Sequence, residues 1–76
     1  MKDVIIYTII PCPYCSRAKA LMSAKGIAYK EILIDRNDDK AVTDLKNRTG
    51  WRTFPQIFEG EKLIGGYAEL AALLST

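Results

Sequence analysis

The apolar pattern changes period along the chain, and each change marks an element. Val4-Ile5-Ile6-Tyr7-Thr8 is a β-branched and aromatic run without polar alternation, the pattern of a central strand buried on both faces. Past Pro13, a residue tolerated in a first helical turn, Tyr14, Ala18, Leu21 and Met22 recur at helical spacing while Arg17, Lys19 and Lys25 fall largely elsewhere. Gly26 stops this helix. Tyr29 to Ile34 reads as a second strand, and strand, helix, strand in that order implies a right-handed crossover between parallel strands. Asn37, Asp38 and Asp39 offer N-caps for a second helix running to about Arg48, with Val42, Leu45 and Thr49 on its inner face and Gly50 at its end. Gln56-Ile57-Phe58 and Lys62-Leu63-Ile64 flank Glu59-Gly60-Glu61, a three-residue hairpin loop containing Gly. Gly65-Gly66 breaks the last strand, and a helix from Ala68 to about Leu74 places Leu70, Leu73 and Leu74 on one stripe. The order is β-α-β-α-β-β-α.

Composition narrows the class. Seventy-six residues fill one hydrophobic core, so residues 1–76 read as one domain. A net charge of +2, spread without a run, excludes an electrostatic nucleic-acid footprint. With no His and two Cys, a single chain cannot supply the four N or S ligands of a structural zinc site, so no metal is expected unless two chains share it. One close Cys pair, rather than the several pairs of a secreted scaffold, points to a reducing compartment and redox work. The apolar start from Val4 to Ile10 is short, is interrupted by Tyr7 and Thr8, and leads to Pro11 rather than a small residue before Cys12. It makes neither a cleavable leader nor a lipid-attachment site, and a cytoplasmic protein with no membrane partner is expected.

The chemistry lies in Cys12-Pro13-Tyr14-Cys15, between the first strand and the first helix. That junction puts the first sulfur at the helix N-cap, where unpaired N–H groups and the positive end of the helix dipole stabilise a thiolate. Such a site lowers a thiol pKa from about 8.5 to roughly 3.5–7.5. The larger thiolate fraction is nearly offset by lost nucleophilicity at a Brønsted slope of about 0.4–0.5, so the gain lies in leaving-group ability and fast resolution of mixed disulfides. Cys15 lies behind and is less exposed. Two other readings stay open on the residues alone: a packed pair of small apolar side chains, and a zinc or iron–sulfur site shared between chains.

Three segments in order, Cys12-Pro13-Tyr14-Cys15, Thr53-Phe54-Pro55 and Gly65-Gly66, make the chain resemble the dithiol glutaredoxins over its whole length from Val4 to Leu74. The resemblance implies a thioredoxin fold, a central four-stranded mixed sheet flanked by three helices, with Pro55 cis. It implies a disulfide oxidoreductase in which Cys12 and Cys15 are catalytic and Pro13 and Tyr14 complete the motif. It also implies a monomer that binds no cofactor, uses glutathione as reductant, and acts on disulfide-containing or glutathionylated proteins. The implied glutathione and substrate contacts are Tyr14 beside the cysteines, Thr53, Phe54 and Pro55 through the backbone, and Gly66, Tyr67 and Ala68 at the start of the last helix, where N–H groups receive a carboxylate. Trp51 and Arg52 read equally as a buried aromatic with a solvated charge or as substrate contacts. Two alternatives remain: a thioredoxin-like hydrogen donor, for example to ribonucleotide reductase, reduced by a flavoprotein, and a carrier of a glutathione-ligated [2Fe–2S] cluster.

The chain departs from that family pattern in three places. Ile9-Ile10-Pro11 stands where a Lys or Arg is usual, so no cation is expected there. A gap-free count back from Pro55 puts Val42 where the second helix often offers a polar or cationic group, with Lys40 or Lys46 as substitutes. Tyr67-Ala68-Glu69 keeps one acid where Ser-Asp or Asp-Asp is common. Weakened glutathione recognition is the expectation.

Overall fold

A computed structural model describes residues 1–75. The elements follow the order expected: β1 Val4–Thr8, α1 Pro13–Ala24, β2 Tyr29–Leu33, α2 Asp39–Thr49, β3 Gln56–Glu59, β4 Lys62–Gly65 and α3 Tyr67–Leu74. The four strands form one mixed sheet in the order β2-β1-β3-β4. β1 runs parallel to β2, with Ile6 opposite Glu31, and antiparallel to β3, with Ile6 opposite Ile57. With three helices on this sheet, the architecture is the thioredoxin fold.

The core forms where α1 and α3 pack on one face of β1 and β3. Val4, Ile6, Ala18, Met22, Ile57 and Leu70 are buried there, with Leu21, Ile64 and Leu74 half-buried against them. Four of the five side chains on β1's run are apolar, yet burial alternates: Val4, Ile6 and Thr8 are buried while Ile5 and Tyr7 are only half-buried. The expectation of a strand buried on both faces is thus corrected. α2 covers the second face only in part, and its Arg48 guanidinium lies 6.0 Å from the Tyr7 ring centre while Phe58 meets Tyr7 edge-on at 5.8 Å.

Three further expectations shift. Leu73 is 46% exposed, so the inner stripe of α3 is Leu70 with Leu74. Tyr14 leaves the inner face of α1, which consists of Cys15, Ala18 and Met22. Glu59 pairs with Lys62 as the last residue of β3, which shortens the hairpin loop to Gly60-Glu61. Gly60 takes φ +59, a left-handed conformation that suits Gly, and its N–H donates to the Asp3 carbonyl at 2.9 Å.

The segment from α2 to β3 is held by one buried side chain. Gln56 is fully buried, its Nε2 donates to the Trp51 carbonyl at 2.7 Å, and its Oε1 accepts from the Thr49 hydroxyl at 2.8 Å. The Trp51 N–H donates to the same hydroxyl at 3.1 Å. A buried amide satisfied at both ends fixes the path of the chain between them, and that chain carries Thr53-Phe54-Pro55.

A smaller cluster ties β1, α1 and β2. The Glu31 carboxylate accepts from the Thr8 hydroxyl at 2.7 Å and from Lys19 Nζ at 3.0 Å. The Thr8 hydrogen bond first, then Lys19, holds the Glu31 pKa below its ordinary value of 4.5. A lowered folded-state pKa contributes stability above the unfolded value that is lost as pH falls through the folded one. Glu31→Gln is therefore expected to lower the melting temperature at pH 7, by about 4–8 °C or less for a contribution of about 1 kcal/mol at most, and to matter less as the pH falls toward 3. Thermal melts at both pH values check this; an equal loss at pH 3 would contradict it.

Candidate active site

Cys12 occupies the N-cap of α1 in extended conformation, with Pro13 opening the helix. The Cys15 N–H donates to Cys12 Sγ at 3.2 Å, and the Ser16 N–H donates to the Cys12 carbonyl at 3.2 Å. The two sulfurs are joined as a disulfide across a Cα separation of 5.2 Å. Cys15 is buried at 2% exposure, whereas Cys12 is only half-buried. The less buried cysteine therefore stands at the helix start, with a first-turn N–H directed at its sulfur. That arrangement favours a thiolate when the pair is reduced.

Two grooves are lined in part by the Cys12-Pro13-Tyr14-Cys15 segment. One, of about 480 Å³, is lined by Tyr14, Trp51, Thr53 to Pro55 and Gly66 to Glu69. It gathers every side chain that the resemblance assigned to glutathione, from three separate stretches of chain. Pro55 is buried and its bond to Phe54 is cis, as the resemblance implied; the Ile10–Pro11 bond is also cis. Tyr14 is 55% exposed and its ring meets that of Tyr67 at a centroid distance of 6.0 Å, so the two aromatics that line the groove pack on each other. Trp51 lines it too and is half-buried, whereas Arg52 is exposed and not among the lining residues.

The far end of this groove depends on two glycines. Gly65 has φ +127, and a Cβ there would come within 2.9 Å of the Glu69 stem, so only Gly fits. Glu69 folds under the turn and its Oε1 accepts from the Gly66 N–H at 2.9 Å. One first-turn donor of α3 is thereby taken, and Tyr67 and Ala68 contribute the next N–H groups.

The second groove, of about 640 Å³, lies toward β2 and is lined by Cys12, Cys15, Ile10, Pro11 and Leu33 among others. The expectation that no cation reaches Ile9-Ile10-Pro11 is corrected here. Arg36, just beyond β2, donates from Nε to the Ile10 carbonyl at 3.2 Å and from Nη2 to the Pro11 carbonyl at 2.8 Å. It clamps the two residues before the reactive sulfur. Among the described residues Lys40, Val42 and Lys46 line neither groove, so none of them supplies a cation there.

The glutaredoxin family model matches residues 4–64, which include the cysteine pair and the Pro55 loop. The chain belongs to the glutaredoxin family. It is 49% identical over 73 residues to glutaredoxin 3 of Escherichia coli K12, a match covering 96% of this chain and 87% of that one. A solution structure of the Brucella melitensis glutaredoxin is 45% identical, with a TM-score of 0.81 over 99% of this chain and 80% of that one. A buckwheat glutaredoxin crystallised as a glutathione complex is 32% identical, with a TM-score of 0.85 over 96% of this chain and 68% of that one. This glutaredoxin is thus a thiol–disulfide oxidoreductase of the Cys-Pro-Tyr-Cys type.

Proposed function

We propose that this glutaredoxin reduces protein disulfides and protein–glutathione mixed disulfides with electrons from glutathione, Cys12 being the nucleophile and Cys15 the resolving thiol. The observation that carries the reading is the half-buried Cys12 at the N-cap, its sulfur accepting the Cys15 N–H, while Cys15 is buried within the helix. The Cys12 thiolate attacks one sulfur of the substrate disulfide, forms a mixed disulfide and expels the other sulfur as a thiolate. Cys15, deprotonated, attacks the Cys12 sulfur, releases the second substrate thiolate and closes the Cys12–Cys15 bond. Two glutathiones reopen it and leave as glutathione disulfide. Where the mixed disulfide is with glutathione itself, a second glutathione replaces Cys15.

Glutathione lies in the groove lined by Tyr14, Phe54 and Tyr67, pairing with the backbone of Phe54 and placing its γ-glutamyl carboxylate at the Tyr67 and Ala68 N–H groups. Support comes from the groove's lining and from the family resemblance. The binding is weak for its family. Ala68 offers no acid to the glutathione amino group, and no lysine of α2 lines the groove. Each exposed ion pair is worth about 0.2–1 kcal/mol, so the two missing ones reduce affinity by roughly two- to thirtyfold.

Ala68→Asp restores one such pair and is expected to lower the glutathione concentration at half-saturation by about two- to fivefold. Steady-state reduction of one mixed-disulfide substrate, driven either by glutathione with glutathione reductase or by thioredoxin reductase, tests both points. An unchanged or raised half-saturation in Ala68→Asp removes the weakened-site reading. Electrons taken only from thioredoxin reductase would replace glutathione as donor.

A further inference from the structure

The groove toward β2 is not used by the glutathione reading, yet both cysteines line it. Its lip is apolar and open: Ile10 is 68% exposed and Leu33 is 55% exposed, and the two border both this groove and its continuation past Ile34 and Asp35. Two large aliphatic side chains held in water beside a reactive sulfur are covered when something with apolar surface binds there. The lip is also held in place. Arg36 fixes the Ile10 and Pro11 carbonyls, and the Ile34 N–H donates to the Thr8 carbonyl at 2.8 Å. Fixed surfaces lose little entropy on binding.

The polar groups nearby have partners within the fold: Lys19 pairs with Glu31 at 3.0 Å, Arg36 donates to two backbone carbonyls, and Asp35 Oδ1 accepts the Asn37 N–H at 2.9 Å. An anionic tripeptide with two carboxylates and no large apolar side chain, which is what glutathione is, gains little from such a lip. A polypeptide segment carrying an aliphatic or aromatic side chain next to its cysteine gains burial of Ile10 and Leu33.

We propose that the β2-side groove, lipped by Ile10 and Leu33, docks the polypeptide that carries the substrate disulfide and selects segments with an apolar residue beside the reacting cysteine. The inference rests on the reading of Cys12 as the attacking sulfur. It divides the labour around one atom: glutathione on the Tyr14–Tyr67 side, protein on the β2 side. The division makes apolar neighbours of a cysteine, rather than basic or acidic ones, the specificity signal of this enzyme.

The test compares two short glutathionylated peptides of equal charge, one with Leu and Phe beside the cysteine and one with Ser and Gly. Wild type is expected to favour the apolar peptide by about five- to tenfold in kcat/KM, the scale of partial burial of one or two aliphatic side chains. Leu33→Ser and Ile10→Ser, each checked for folding by circular dichroism, are expected to bring that ratio below about twofold. Reduction of both peptides at equal rates by wild type would overturn the docking site while leaving the disulfide reductase intact. A ratio that survives in both variants would place the selectivity elsewhere and also overturn it. Self-association of wild type that Leu33→Ser abolishes would assign the lip to a second copy of the chain instead. Turnover of neither peptide would overturn the parent reading, and the docking site with it.

Discussion

Cys12→Ser is expected to reduce disulfide turnover to the uncatalysed background with every substrate, whereas Cys15→Ser is expected to keep activity on glutathionylated substrates and lose it on substrates that need intramolecular resolution. The asymmetry follows from placement. Cys12 is the half-exposed N-cap residue whose sulfur faces a first-turn N–H, and Cys15 lies within the helix at 2% exposure. A serine oxygen at position 12 cannot form a disulfide, so no other group takes over the first bond. Serine at position 15 removes only the internal nucleophile, and free glutathione performs the same exchange from solution. Coupled NADPH consumption, with a glutathionylated peptide and an intramolecular protein disulfide side by side, reads both effects. Substantial turnover by Cys12→Ser, or equal loss in the two variants on the glutathionylated peptide, would reverse or remove the assignment.

Ile57→Ala is expected to be among the most damaging single changes to stability. Ile57 is fully buried, lies opposite Ile6 across β1 and β3, and shares the core with Met22 and Leu70. Truncating a buried Ile to Ala costs about 2–5 kcal/mol through lost burial and the cavity left behind. At about 0.05–0.15 kcal/mol per residue, a domain of this size has only about 4–11 kcal/mol in total. A large part of the folded state's margin is thus removed, and a fall in melting temperature of about 8–40 °C follows at roughly 4–8 °C per kcal/mol. Leu33→Ala deletes the same kind of surface from a side chain already 55% exposed, and a change within about 0.5 kcal/mol is expected. Urea denaturation of the two variants gives the comparison. Similar midpoints would mean that the core between α1, α3 and the sheet does not carry the fold.

The order of elements was legible because period and punctuation agreed: Gly26, Gly50 and the glycine pair at 65–66 each fall where an element stops, and Asp38 caps α2 by accepting the Ala41 N–H at 3.1 Å. The N-cap position of Cys12 was equally readable, since a strand followed by Cys-Pro starts a helix at the proline. Exposure was read less well. Helical spacing puts Tyr14 and Leu73 on the inner stripes, but a short helix at the edge of a small sheet buries fewer positions than its stripe offers, and both remain exposed. The two-sided burial read for β1 failed similarly, because residue type cannot report how far α2 extends across the second face. Arg36 left no signal at all. A lone basic residue past a strand reads as a solvated charge, and only the parallel pairing of β1 with β2 brings its long side chain back to the Ile10 and Pro11 carbonyls. The Gln56 network was hidden for the same reason, since a polar residue opening an apolar strand gives no hint of its partners. Pro55 in its cis form came from family resemblance and not from any pattern in the residues.

The burial of Cys15 behind a half-open Cys12 also dictates the order in which partners act on the proposed assignment. Electrons enter and leave the protein through one sulfur atom, so oxidant and reductant must take turns at it. The kinetics are those of double displacement, with parallel lines in double-reciprocal plots and no complex holding both partners on the reacting atom. Each partner in excess then obstructs the other by occupying the wrong oxidation state of the enzyme. The relative rates at which thiol and disulfide reach that sulfur set which oxidation state of the enzyme accumulates, and the slower of the two half-reactions limits throughput.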